Sequence, residues 1–291
     1  PLYSSAASDV YKRQIVVSCD STCDLGEELI SKNDIRIMPL IIYLGEEQYS
    51  DNVDVATKDI FAYVDKTGVL PKTAARSIYE YQEFFANILK DADAIIHVAF
   101  SSEMSSSCSN AQVAAEQFDN VKVVDSKSLS SGYGLLVLKA CKLVSLGKSL
   151  DEIEKELVDT VPKLQASFII SNLKYLYKGG RCSAVAMFGA NLLKIKPSIH
   201  VIDGKMGVGK KYMGKFSDTM LKYTNALLEE NGEIDKENVF ITFSSDENNV
   251  SNLVYDLLKK QGFQNIYKTY AGCTIASHCG PECMGVLFIR K

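Results

Sequence analysis

Hydroxyl groups are crowded into one stretch of this chain. Ser101, Ser102, Ser105, Ser106, Ser107 and Ser109 follow an apolar run at 94–100 that reads as a buried strand, and they precede a helix expected at 110–117. Hydroxyl donors beside the free N–H groups of a helix start receive an anion or carboxylate well, and the same residues also serve as an over-capped, solvated helix entry. No Gly-x-Ser-x-Gly elbow is present and no base lies at a recognisable offset, which disfavours a hydrolase serine. An α/β enzyme acting on a small phosphorylated or carboxylated substrate at residues 101–109 is the alternative reading. His278 lies in Ser-His-Cys-Gly-Pro, a turn sequence before the last expected strand, where a side chain can face a cleft. His97 and His200 sit inside apolar strand runs and read as core residues.

Three further patterns carry chemistry at lower weight. Cys19/Cys23 and Cys279/Cys283 have a spacing that zinc accepts, with Cys273 and His278 nearby in sequence, but Cys19 adjoins a buried strand where a thiol is ordinary core. Asp20 and Asp24 flank Ser-Thr-Cys at a strand-to-helix junction; capping of the helix expected at 25–30 is the simple reading, although ligands also bind at such strand ends. The segment from Gly204 to Lys210 fits GxxxxGK, but Lys211 stands where a phosphate loop needs Ser or Thr, so a glycine-rich hairpin is the better account.

The elements that must position these residues alternate. Strands are expected at 15–18, 36–44, 94–100 and 121–124, and helices open with capping boxes at Ser77/Glu80 and Ser149/Glu152. A further helix is expected at 132–146. This order predicts βαβ units and a mostly parallel sheet. After Pro162 come strands at 167–171, 198–202, 239–243, 265–270 and 285–289, with helices near 218–230 and 245–260. The expected division is a non-native or disordered extension at 1–14, an N-terminal α/β domain at 15–163 and a C-terminal α/β domain at 164–291, whose last segment from about 278 packs back on the domain interface. The 291 residues are 46% hydrophobic and 23% charged, a globular composition. A net charge of −4 argues against a nucleic-acid partner, which needs a basic face. With no apolar run of spanning length and no export signal in view, the eight cysteines are expected to be thiols in a reducing cytoplasm.

Taken in order, several stretches resemble the DegV family, which includes the fatty-acid-binding subunits of bacterial fatty acid kinase. They are Asp20-Ser-Thr-Cys-Asp-Leu25, Lys72-Thr73, Ser101-Ser-Glu-Met-Ser105, Val124-Asp-Ser126 with Gly132-Tyr-Gly134, Leu173 through Gly-Gly-Arg181, Lys196-Pro197, Asp203-Gly204, and Ala271-Gly272 followed by His278-Cys-Gly-Pro281. The resemblance covers about 15–291. It implies two α/β domains with a lipid pocket between them, no catalysis of the chain's own, and no cofactor beyond a bound fatty acid. It implies Thr73, Ser105 and His278 as carboxylate ligands, and Arg181, Ser106 and Lys211 at the pocket mouth or a partner contact. Met187, Phe188, Leu192 and Leu193 would serve as chain-lining or plain core residues. A partner kinase would convert the presented carboxylate to an acyl phosphate for phospholipid metabolism, and transient membrane contact is compatible with that role. The sequence departs from the family pattern at Met104-Ser-Ser, at Thr73-Ala-Ala-Arg-Ser and at Glu282. Met213 also stands where an Arg used for kinase docking is frequent, with Lys210, Lys211 and Lys215 nearby.

Overall fold

A computed structural model describes residues 15–185 and 195–291. The apolar run after residue 14 forms β1 (Ile15–Asp20), buried along nearly its whole length, as a central parallel strand must be. It lies between β2 (Arg36–Met38) and β6 (Ala94–Ala99), and β6 pairs with β7 (Val121–Asp125), all in parallel. The single strand expected at 36–44 is broken at Pro39, which lacks an N–H for the ladder. Its second half becomes β3 (Ile41–Leu44), the centre of a small antiparallel sheet with β4 (Glu47–Ser50) and β5 (Lys72–Ala74). The intervening helix α2 (Thr57–Thr67) and the sheet itself were not foreseen.

Helix α1 is Glu27–Lys32, α3 is Ile78–Ile88, α4 is Ser107–Ala115, α5 is Ser131–Ser145 and α6 is Leu150–Thr160. Both capping boxes form: the Ser77 and Ser149 hydroxyls accept from the backbone N–H groups of Glu80 and Glu152, and each Glu carboxylate accepts from the N–H of its Ser. The Asp20–Asp24 segment does not cap α1, whose N-cap is Gly26 without a side-chain bond. Its side chains are spent on long-range partners instead.

The second sheet runs β11-β10-β9-β14-β12-β13, with β8 (Leu164–Gln165) also on β14. Its members are β9 (Ser167–Ile170), β10 (Lys196–Ile202), β11 (Lys205–Tyr212), β12 (Ile234–Phe243), β13 (Asn265–Tyr270) and β14 (Cys283–Arg290). Only β12 and β13 run parallel, so the expected parallel sheet holds for the first half of the chain alone. β10 and β11 are joined by a hairpin, whereas β12 and β13 are joined through a helix at Val250–Lys260, the crossover that a parallel pair requires. The GxxxxGK segment is the β10–β11 hairpin, turning at Asp203 and Gly204 with φ of 50° and 82°. The final strand β14 is a central member of this sheet.

Two cores cover the two faces of the second sheet. On one, α8 (Phe216–Glu230) and α9 (Val250–Lys260) pack on Ile169, Val239, Ile241, Met284 and Phe288. On the other, Phe168, Ile170, Phe240 and Leu287 share one cluster with Val17, Val98, Tyr133, Leu136 and Ala140. Helix α5 is therefore the shared layer: its first half, Ser131–Val137, is buried, while Lys142 and Ser145 near its end are exposed. Gly132 and Gly134 permit its close approach: a Cβ would lie 2.7 Å from the Ser128 hydroxyl at the first and 2.8 Å from the Cys23 carbonyl at the second.

Candidate functional site

The head of the site is assembled from both halves of the chain. Thr73 is the middle residue of β5, registered opposite Ile42. His278 is on the last turn of α10 (Cys273–Cys279), a helix where the sequence suggested a turn. Thr73 Oγ1 and His278 Nε2 are 2.9 Å apart across 205 residues of chain. Arg76 braces the segment after Thr73, donating to the Pro39 carbonyl at 2.6 Å and the Ser50 hydroxyl at 2.8 Å and pairing with Glu80 at 2.9 Å.

Ser105 enters from the loop after β6. Its hydroxyl lies 2.9 Å from that of Ser107 and accepts from the Ser107 N–H at 3.1 Å. The loop is pinned by the β10–β11 hairpin: Ser101 donates to the Gly204 carbonyl at 2.9 Å, and Lys205 pairs with Glu103 at 3.3 Å. A Cβ at Gly204 would meet the Ser101 hydroxyl at 2.7 Å, and only glycine makes this docking easily.

Thr73, Ser105, His278 and Arg181 line one cavity of about 540 Å³, including its open mouth, with Leu40, Phe100, Met104 and Ile275 among its apolar walls. Behind it lies a second space of about 320 Å³, counting its part open to solvent, walled by Phe168, Phe243 and Leu287. The two share Leu129, Ile275 and Cys279, which form a waist between them. The hydroxyls around the deeper space bond within the protein: Ser167 with Tyr223, Thr242 with Ser131 and Thr269, and Ser130 with Asp24. Its exposed wall is thereby left to carbon. Ser106 is exposed and does not line the cavity, and Lys211 is exposed on β11, five residues beyond the lining residue Met206. Met187, Phe188, Leu192 and Leu193 lie outside the described residues.

Electrostatically the mouth suits one anion. Arg181 is the one cation among the described lining residues, and no carboxylate is among them. Burial, reinforced by the Arg181 charge, pushes the His278 imidazolium down to about 4, so the ring is neutral at pH 7. Its Nδ1 is buried without a partner among the described residues and faces Gly179, where an added Cβ would come within 2.4 Å of it. A buried N–H without an acceptor is costlier than a bare lone pair, so the proton belongs on Nε2, donated to Thr73. Thr73 then keeps its own hydroxyl hydrogen for a ligand.

Helix α10 is held from behind by groups that sequence reasoning did not connect to it. Asp24 accepts from the Gly272 N–H at 2.9 Å and Asp51 from the Thr274 N–H at 3.3 Å. The only signal for Asp24 was its place in the Asp20–Asp24 motif, and none marked Asp51. His97 is fully buried beside Ser18 at 2.9 Å and Asp20 at 3.6 Å, whereas His200 is only partly buried. The cysteines are free thiols, and among the described residues no cluster of three or more His, Cys, Asp or Glu side chains could hold a metal. Among those residues, too, no helix is long and apolar enough to cross a membrane.

Comparison with known proteins adds to this geometry. A DegV domain-containing protein of Clostridium acetobutylicum is 33% identical over 282 residues, covering 96% of this chain and 99% of its own. The fold matches the fatty acid binding DegV family protein of Thermus thermophilus with a TM-score of 0.85 at 28% identity, covering 96% of this chain and 100% of that one. It also matches DegV of Bacillus subtilis, a fatty acid binding protein, with a TM-score of 0.84 at 27% identity and the same coverage. The sequence model described as uncharacterised protein, DegV family, spans residues 14–291, and the chain belongs to the DegV family.

Proposed function

We propose that this protein binds one long-chain fatty acid, with the carboxylate received by the Thr73 and Ser105 hydroxyls, His278 orienting Thr73 from behind, and the tail passing the Leu129–Ile275–Cys279 waist into the deeper space. The observation that carries the reading is that a largely apolar mouth, bearing Thr73, Ser105, His278 and Arg181 and no carboxylate among its described lining, shares wall residues with an apolar space behind it. The fatty acids bound by the Thermus and Bacillus relatives support it.

The energetics divide the labour. About 14 methylenes contribute on the order of 11 kcal/mol of gross transfer energy at ~0.8 per CH₂. Lost freedom on association offsets a sizeable part. A hydrogen bond to a charged group adds about 1.5–3 kcal/mol. The tail therefore supplies affinity, and the neutral donors decide which end faces out. A carboxylate at an apolar mouth is costly without such donors. Thr73 and Ser105 offer hydroxyl hydrogens, and Arg181 supplies the compensating charge at the rim.

In the same reading the chain comprises two α/β domains, 15–163 and 164–291, with the lipid between them, and works in the cytoplasm without catalysis of its own. A partner kinase transfers the γ-phosphoryl group of its ATP to the presented carboxylate, giving acyl phosphate and ADP. Organic extraction of the purified protein followed by mass spectrometry tests the binding: near-stoichiometric fatty acid is expected. A preparation that neither carries fatty acid nor takes it up when added would overturn it. Phosphate transfer to bound fatty acid by a DegV-partner kinase tests the second step, and its absence would leave a lipid carrier alone.

A further inference from the structure

The placement of His278 depends on a helix too short to hold itself in position. Helix α10 has seven residues, and isolated helices of that length are unstable in water. Its entry is gripped by three segments of the first half of the chain. Thr57, at the start of α2, donates to the Ala271 carbonyl at 2.8 Å. Asp24, after β1, accepts from the Gly272 N–H, and Asp51, after β4, accepts from the Thr274 N–H. The fit is close, since a Cβ on Gly272 would lie 2.4 Å from the Asn52 side chain and 3.1 Å from Asp24.

The second carboxylate oxygen of Asp24 accepts from the Ser130 hydroxyl at 2.5 Å, and that of Asp51 from the Ser21 hydroxyl at 2.8 Å. Ser130 stands in the wall of the deeper space with its backbone at φ 53° and ψ −150°, and Thr274 and Ile275 stand in the wall of the mouth cavity. Asp24 thus ties the helix bearing the head-group histidine to the wall of the tail space through one side chain. Burial of both carboxylates among neutral donors is expensive, and it raises the proton affinity of each.

We propose that Asp24 and Asp51 are positioning residues for the head-group site, which fix His278 against Thr73 by anchoring the entry of α10. The proposal rests on the fatty-acid reading for its functional consequence, while its structural consequence can be read without ligand. The test uses full-length protein with ¹⁵N-labelled histidine, His278 being assigned through His278→Gln. In Asp24→Ala the ring resonance of His278 should shift or broaden in the ligand-free protein, and affinity for a fluorescent fatty acid should fall at least about tenfold, the equivalent of one lost hydrogen bond. Asp24→Asn keeps an acceptor for Gly272 and should restore both signals. An unchanged His278 resonance and unchanged affinity in Asp24→Ala would overturn the proposal. If wild-type protein binds no fatty acid, the functional reading fails, and the ligand-free resonance still decides the positioning. Should Asp24→Ala not fold, Asp51→Ala is read in the same way; collapse of both would assign the pair to stability alone and overturn the proposal.

Discussion

In the proposed site Thr73 Oγ1 is the hinge, since with the proton on His278 Nε2 it accepts from His278 and keeps its own hydrogen for the ligand. Thr73→Val keeps the shape and removes the hydroxyl. Fatty-acid affinity should fall roughly tenfold, about 1.5 kcal/mol, with the melting temperature little changed; titration calorimetry and thermal denaturation on one preparation check both. Ser105 differs in kind. Its neighbours are the Ser107 hydroxyl and N–H, and accepting from that N–H leaves its own hydrogen free to donate.

At the scale of elements, α7 (Leu173–Gly179) and α10 meet where Gly179 faces His278. Gly179→Ala would place a methyl 2.4 Å from Nδ1, and one of the two helices must move. The expected result is a loss of about 1–3 kcal/mol in stability together with weakened fatty-acid binding, measured by urea unfolding and ligand titration. The capping boxes serve as the contrast. Ser149→Ala removes the cap of α6, far from the cavity, and should cost about 1 kcal/mol, lowering the melting temperature by a few degrees with ligand affinity unchanged.

For the molecule as a whole, His278 and Asp24 pull the pH response in opposite directions. His278 titrates near 4 in the folded protein against an ordinary 6.5, so the unfolded chain binds more protons between those values and stability rises with pH there. Burial lifts Asp24 from 3.8 to about 8, so the folded protein holds the extra proton and stability falls as pH rises across that range. The two slopes offset one another between about 4 and 6.5. Above 6.5 the Asp24 slope continues, at up to about 1.4 kcal/mol per pH unit toward 8, and Asp51, raised by the same burial, acts with the same sign. Denaturant midpoints should therefore decline from pH 6.5 to 8 in wild type and decline less steeply in Asp24→Asn.

What the sequence determined by itself was local. The apolar runs of β1, β6 and β7, the capping boxes at Ser77 and Ser149 and the Asp203-Gly204 turn depend on contacts within a few residues, and periodicity and capping chemistry expose them. The ordered motif set also placed the chain in its family. Only the tertiary structure decided that Pro39 divides one apolar run between two sheets, that the second sheet is largely antiparallel, and that His278 ends a helix. It alone brought His278 within hydrogen-bond distance of Thr73 and turned Asp24 away from its own helix toward Gly272, 248 residues on. The reason is physical: a carboxylate, a hydroxyl and a histidine show their type in the sequence, but their proton affinity and their partners follow from burial and from which distant backbone arrives beside them.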